Sequence, residues 1–198
     1  MKKPLWIWII SLALIAGSCP PRPALAQTPT AYVRGILDQV MGLQNDPALS
    51  TQARAQAIHK IIERNFDFAL MAKDSLGPTY ERLGGGQRQE FTQTFGYLFQ
   101  DSYTRLVLNF LKKENIQYGR ELPEGEKARV DTAIVRTNEN IPVTYLMHTA
   151  PQGWILYDVI VDGVSILQNY QTQFAQVIRT KGFGVLLNKM QEQRRAIQ

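Results

Sequence analysis

Apolar residues recur along the chain first with a helical period, then with an alternating one, then with a helical one again. Val33, Ile36, Leu37, Val40 and Met41 fall on one face and predict a helix over Ala31–Leu43, which Asn45-Asp46-Pro47 ends. A second helix is expected over Thr51–Asn65, with Ala57, Ile58, Ile61 and Ile62 inward. Asp67 can N-cap a short helical turn carrying Phe68, Leu70 and Met71. Gly84-Gly85-Gly86 reads as a loop, without the lysine and hydroxyl of a phosphate-binding loop. The longest helix is expected over Gln87–Lys112, with Phe91, Phe95, Leu98, Phe99, Ser102, Leu106, Asn109 and Phe110 on one face.

The period then drops to two. Ile116–Glu121, Ala128–Arg136, Ile141–Thr149 and Trp154–Val161 are short, rich in β-branched and aromatic residues, and divided by Pro/Gly/Asn clusters. They predict a four-stranded antiparallel meander. Pairing Ile134 with Val143 and Tyr145 with Asp158 puts Val130, Thr132, Ile134, Val143, Tyr145, Met147, Trp154, Leu156, Asp158 and Ile160 on one face. Arg129, Asp131, Ala133, Thr144, His148 and Tyr157 take the other. Asp162-Gly163 turns the chain, and Ser165 with Gln168 forms a capping box, so helix resumes at Ile166 with Leu167, Tyr170, Phe174, Val177 and Ile178 inward. Lys181-Gly182 ends that helix before a terminal one bearing Val185, Leu186, Leu187 and Met190. The fold class is α+β: helices, a sheet, then helices.

The first 26 residues change the picture of charge and compartment. Lys2 and Lys3 precede an apolar run from Leu5 to Ala16, and Ala24-Leu25-Ala26 supplies the small residues a signal peptidase reads, so export with cleavage after Ala26 is expected. That run is shorter than the roughly 20 residues that span a bilayer. A second reading takes Ala16-Gly17-Ser18-Cys19 as a degenerate lipobox with a lipid on Cys19. Residues 27–198 form a single domain. Lys2, Lys3 and Arg22 leave with the leader, so 22 basic residues fall to 19 against 17 acidic ones. With near-neutral charge and no basic track interleaved with aromatics, nucleic acid is not an expected partner. Cys19, the sole cysteine, lies in the leader, which excludes an intramolecular disulfide and a cysteine zinc site.

Catalytic motifs are scarce. There is no G-x-S-x-G and no H-E-x-x-H, and neither His59 nor His148 has a sequence neighbour that makes it a metal ligand. No metal or cofactor is expected. Asp158 alone invites chemistry: a carboxylate on an apolar face beside Tyr145 could serve as a base, as in small cone-shaped α+β isomerases, or could be satisfied by Tyr145 and backbone N–H groups at the strand's end.

The blocks Phe66-Asp67-Phe68, Leu76-Gly77, Gln87-Arg88-x-Glu90-Phe91, Trp154-x-x-x-Asp158-Val159-x-Val161-Asp162-Gly163-Val164-Ser165 and Asn169-Tyr170-x-x-Gln173-Phe174, in this order, resemble the MlaC family of periplasmic phospholipid-binding proteins, also called toluene-tolerance auxiliary components. The resemblance runs from about Ala31 to Met190 and is most specific at Asp-Gly-Val-Ser followed by Asn-Tyr. Two positions depart from it. Tyr80 stands where a tryptophan is usual, and Gln171 stands where an arginine follows Asn-Tyr, which bears on any partner or headgroup contact that arginine makes.

The resemblance implies a monomeric carrier that moves a phospholipid between an outer-membrane lipoprotein complex and an inner-membrane ABC transporter with its MCE-domain ring. It also implies a twisted sheet packed on a helical layer, with acyl chains in an apolar cavity between them. The residues expected to line that cavity are Phe68, Leu76, Phe95, Leu98, Phe99, Leu106, Ile134, Val143, Tyr145, Met147, Trp154, Leu156, Ile160, Val164, Ile166, Tyr170 and Phe174. Arg34, Arg64, Lys73, Arg82 and Arg105 are candidates for attracting phosphate or acidic docking surfaces. Three alternatives stay open: a hopanoid or other lipid as cargo, an enzyme using Asp158, and a dry-cored scaffold.

Overall fold

A computed structural model describes residues 27–111 and 114–197. The expected signal peptide, its cleavage site, Cys19 and the expected helix end at Lys112 lie outside the described residues. Seven helices and five strands follow one another as α1 (Pro29–Asn45), α2 (Thr51–Asn65), α3 (Phe68–Leu76), α4 (Pro78–Arg82), α5 (Gly85–Phe110), β1 (Asn115–Glu124), β2 (Lys127–Val135), β3 (Asn140–Ala150), β4 (Gly153–Val161), β5 (Val164–Ser165), α6 (Ile166–Lys181) and α7 (Phe183–Ile197). Among the described residues no helix is long and apolar enough to cross a membrane.

The helix starts are set by side chains that accept the orphan N–H groups of a first turn. Thr28, Ser50, Asp67 and Ser165 each accept from the residue three positions on, starting α1, α2, α3 and α6. The short α4 was not foreseen. Gly85 and Gly86, expected in a loop, form the first turn of α5: Gln87 Oε1 accepts from Gly84 N at 3.1 Å, and Arg88 N donates to Gly84 O at 3.0 Å. These bonds offset the conformational freedom two glycines lose there. α3, α5, α6 and α7 pack on one another and α2 against α5; α1 reaches β1 and β2, while α3 and α6 reach β4.

The sheet is an antiparallel meander in the order β1-β2-β3-β4-β5. The two-residue β5, beside Val161, adds a fifth strand to the four expected. Asp162 and Gly163, with φ of 50° and 79°, make the turn into it, the backbone a tight two-residue hairpin requires. In the first hairpin, Ile134 lies opposite Ile141 and Val143 opposite Thr132, a two-residue offset from the expected pairing. The offset follows from a turn of the same length placed one residue earlier, over residues 136–139, and closed by Arg136 N to Glu139 O at 2.9 Å. Because it is an even number, every side chain of β2 and β3 keeps its face.

β4 behaves otherwise. Met147 lies opposite Leu156 but Leu146 opposite Asp158, so Tyr157 is an extra residue, and from there Tyr145 faces Val159 and Val143 faces Val161. This bulge exchanges the faces beyond it. Val159 and Val161 take the helix-covered face, and Ile160, expected there, lies opposite Thr144 on the other. Asp158, expected beside Tyr145, instead turns toward the start of α6. A second bulge places Gly119 and Arg120 of β1 opposite Asp131. A Cβ at Gly119 would stand 3.1 Å from Asp131 O, so a side chain there would crowd the neighbouring strand.

One core joins the layers. Phe91, Phe95 and Phe99 of α5 are buried on one stripe, with Val130 and Met147 of the sheet equally shut from solvent. Phe66 bridges in parallel to Leu156, and Asp67 N donates to Leu156 O at 2.8 Å, sewing the α2–α3 junction to the edge of β4.

Candidate functional site

The aromatic stripe of α5 meets two kinds of neighbour. From Phe91 to Phe99 it packs ring on ring: Phe91 lies edge-on to Phe174 at 5.9 Å, Phe95 edge-on to Tyr170 at 5.4 Å, and Phe99 edge-on to Phe68 at 5.7 Å. From Tyr103 to Leu111 the same helix, with the residue after it, faces Ile134, Ile141, Val143 and Val161. These shorter side chains do not reach across. The gap is a cavity of about 190 Å³, closed on its remaining side by Tyr145, Val164 and Ile166. A second lobe of about 200 Å³ opens between α5 and α6, lined by Phe99, Ser102, Tyr103, Leu106, Ile166 and Tyr170. Tyr103, Leu106 and Ile166 belong to both lobes, so the two adjoin in one crevice.

Its wall is almost wholly apolar, with the phenols as its main polar atoms. Burial pushes Tyr103 upward, helped by the negative charge of Asp158, and raises Tyr145 and Tyr170 as well. All three are therefore neutral hydroxyls at any physiological pH. At the outer end, Phe110 and Val164 line the cavity and are also widely exposed. Arg136 sits over the Phe110 ring at 5.7 Å and donates to Phe110 O at 2.9 Å, to Glu139 at 2.8 Å and to Glu114 at 3.4 Å.

Of the expected lining residues, the structure brings together Leu106, Ile134, Val143, Tyr145, Val164 and Ile166 in the first lobe, with Phe99 and Tyr170 in the second. Phe95, Leu98, Met147, Leu156 and Phe174 are packed core, and Leu76 is buried at the end of α3. Phe68 stacks on Phe66, and the Trp154 indole donates to Gln27 O at 2.9 Å. With Ile160 on the opposite sheet face, none of these nine lines either lobe. Conversely Tyr103, Val107, Leu111, Ile141 and Val161 line the crevice without having been expected there, as does Phe110. The α5 residues among them carried a signal: continuing the i, i+4 steps from Phe95 and Phe99 leads to Tyr103 and Val107, whereas Asn109 of the expected stripe is exposed and lines neither lobe.

The five candidate cations do not line the crevice. Arg34 lies over the Tyr118 ring at 3.8 Å, Lys73 pairs with Glu81 at 3.0 Å, and Arg64 donates to Lys60 O at 3.1 Å. Arg105 borders a polar groove between α2 and α5, and Arg82 is exposed at the end of α4. Both histidines gain carboxylate neighbours from distant elements: His59 lies 4.0 Å from Asp101, and His148 lies 2.9 Å from Asp67. Among the described residues no group of three or more ligating side chains could hold a metal ion.

Asp158 is occupied structurally. One oxygen accepts from the N–H groups of Val159 at 2.8 Å and Leu167 at 3.0 Å, and the other accepts from the Ser165 hydroxyl. The partners are thus backbone N–H groups and a serine, and Tyr145 is not among them. A carboxylate beneath a helix start is also favoured by the helix dipole.

Comparison with known proteins bears directly on this arrangement. The chain is 25% identical over 97% of its length, and 93% of the relative's, to a Haemophilus influenzae protein named intermembrane phospholipid transport system binding protein MlaC. It is 21% identical over 86% of its length, and 82% of the relative's, to the toluene tolerance protein ttg2D of Pseudomonas putida. Among solved structures it matches the phospholipid-binding protein of Ralstonia solanacearum, determined in complex with a phospholipid, with a TM-score of 0.74 and 22% identity. That match covers 86% of this chain and 98% of the other, so the two share a fold. The family model described as MlaC protein matches residues 34–192, and the chain belongs to the MlaC family.

Proposed function

We propose that this protein is a phospholipid carrier that holds acyl chains in the crevice between α5, the sheet and α6. The observation that carries the reading is the two-lobed apolar crevice, set in a fold whose relatives are named for phospholipid binding and transport. In full, the proposal is export to the periplasm by a leader cleaved after Ala26, and a monomer that shuttles lipid between an outer-membrane lipoprotein complex and an inner-membrane MCE-domain ABC transporter.

Energetics favour exchange over capture. Burying on the order of 30 acyl methylenes at about 0.8 kcal/mol each exceeds any noncovalent affinity when counted from water. The competing state is a bilayer, equally apolar, so the net preference for protein over membrane is small and small differences at each dock can set direction.

Native mass spectrometry of the mature protein, purified from periplasm without detergent and followed by organic extraction, tests this. A two-chain glycerophospholipid near one-to-one occupancy is expected. A hopanoid keeps the carrier and changes its cargo. A protein that is empty and takes up no lipid from liposomes overturns the reading.

A further inference from the structure

Three phenols face the crevice, and two of them stand beside a hydroxyl inside the protein, Tyr145 beside Thr132 and Tyr170 beside Ser102. Tyr103 differs. Its ring is fixed by Phe66 at 5.3 Å, edge-on, and by stacking on Phe99 at 5.5 Å. Among the described residues no side-chain hydroxyl is paired with its own, and burial and the charge of Asp158 are what act on it. The same side chain stands where the two lobes adjoin.

We propose that the Tyr103 hydroxyl recognises cargo, donating to an acyl-ester carbonyl and so selecting ester-linked lipid over ether-linked or purely hydrocarbon lipid. The assignment rests on the carrier reading and adds its chemistry. A diester lipid branches at its glycerol with one carbonyl at the head of each chain, and a junction of two apolar lobes is where such a branch point fits. Ring packing holds the donor in place before cargo arrives, so little freedom is lost when the bond forms. When lipid fills the crevice it displaces any water on the phenol. An ester carbonyl replaces that hydrogen bond and an ether oxygen, a poorer acceptor, does not, which leaves a buried donor unsatisfied. A site built around such a donor discriminates by what the wrong ligand fails to offer.

The experiment is competition against a fluorescent lipid, using dipalmitoyl phosphatidylglycerol and its dihexadecyl diether analogue on wild type and Tyr103→Phe. The phenylalanine keeps both ring contacts, and a thermal melt checks its fold. Wild type should prefer the diester by about tenfold, the equivalent of one well-placed hydrogen bond, and Tyr103→Phe should bind the two alike. With carbonyl-labelled diester, the infrared ester band should lie at lower frequency in wild type than in the variant. Equal binding of both lipids by wild type, a preference that survives in Tyr103→Phe, or an unchanged band overturns the assignment while leaving the carrier intact. Binding of neither lipid overturns the carrier reading itself, and this one with it.

Discussion

The two halves of α5 present the same amphipathic pattern and do opposite things. Around Phe91, Phe95 and Phe99 the facing residues are rings from α3, α6 and α7, and the interior is filled. Around Tyr103, Val107 and Phe110 the facing residues are valines and isoleucines of the sheet, and the interior is hollow. An apolar stripe therefore marks a buried face without marking whether that face is solid. What decides is the reach of the residues across the gap, which belong to strands 24 or more positions away in sequence.

The sharpest break between the halves should be in stability. Phe95→Ala removes a ring that touches Phe91, Phe99, Tyr170 and Phe174, and should cost about 3–5 kcal/mol, read as a lower urea midpoint. A matched pair sharpens the contrast. Leu98→Trp overpacks the solid half and should cost about 1–3 kcal/mol. Leu106→Trp places its ring in the open crevice, so it should cost less than Leu98→Trp while abolishing lipid uptake from liposomes. Equal destabilisation by the two tryptophans would mean that the lower half is as tightly packed as the upper.

The smallest effect belongs to the uncovered sheet face. There Asp131 accepts from Arg129 at 2.8 Å and from the Thr144 hydroxyl at 2.8 Å, with Arg120 at 3.7 Å. Partial burial pushes its carboxyl up, but these hydrogen bonds and positive charges outweigh it and hold the group below its ordinary range. A depressed folded-state value means stabilisation that is complete above the unfolded carboxyl's value, about 3.9, and lost as pH falls through the folded one. Asp131→Asn should therefore cost under about 1 kcal/mol at neutral pH. Its deficit should shrink in strong acid, checked by denaturant midpoints at neutral pH and at pH values below the ordinary carboxylate range.

Much of the fold was legible because local rules and burial agreed. Ser165 and Asp67 cap the helices their spacing announced, and Asp162-Gly163 turns where expected. Alternation alone identified the inward faces of β2 and β3, and an even register error left them untouched. The bulge at Tyr157 was not legible, since an unpaired residue in a strand has no composition of its own, and it sent Asp158 and Ile160 to the wrong face. The crevice was half legible. Leu106, Val143 and Tyr145 were anticipated from an apolar stripe and a sheet face, whereas Val161 needed the bulge and Leu111 needed the end of α5 to be placed. Phe95 and Met147 had the same sequence credentials as the lining residues and are solid core.

Arg136 gives the hollow end of α5 a property the solid end lacks. Its guanidinium joins the last helical carbonyl, at Phe110, to Glu114 beyond the helix and to Glu139 across the β2–β3 turn. A helix terminus normally frays by itself, one residue at a time. Here fraying at Phe110 also breaks a bond to the turn, so the two segments are coupled at the rim, while the Gln44 amide of α1 holds the same helix end from the other side by donating to Leu111 O at 2.6 Å.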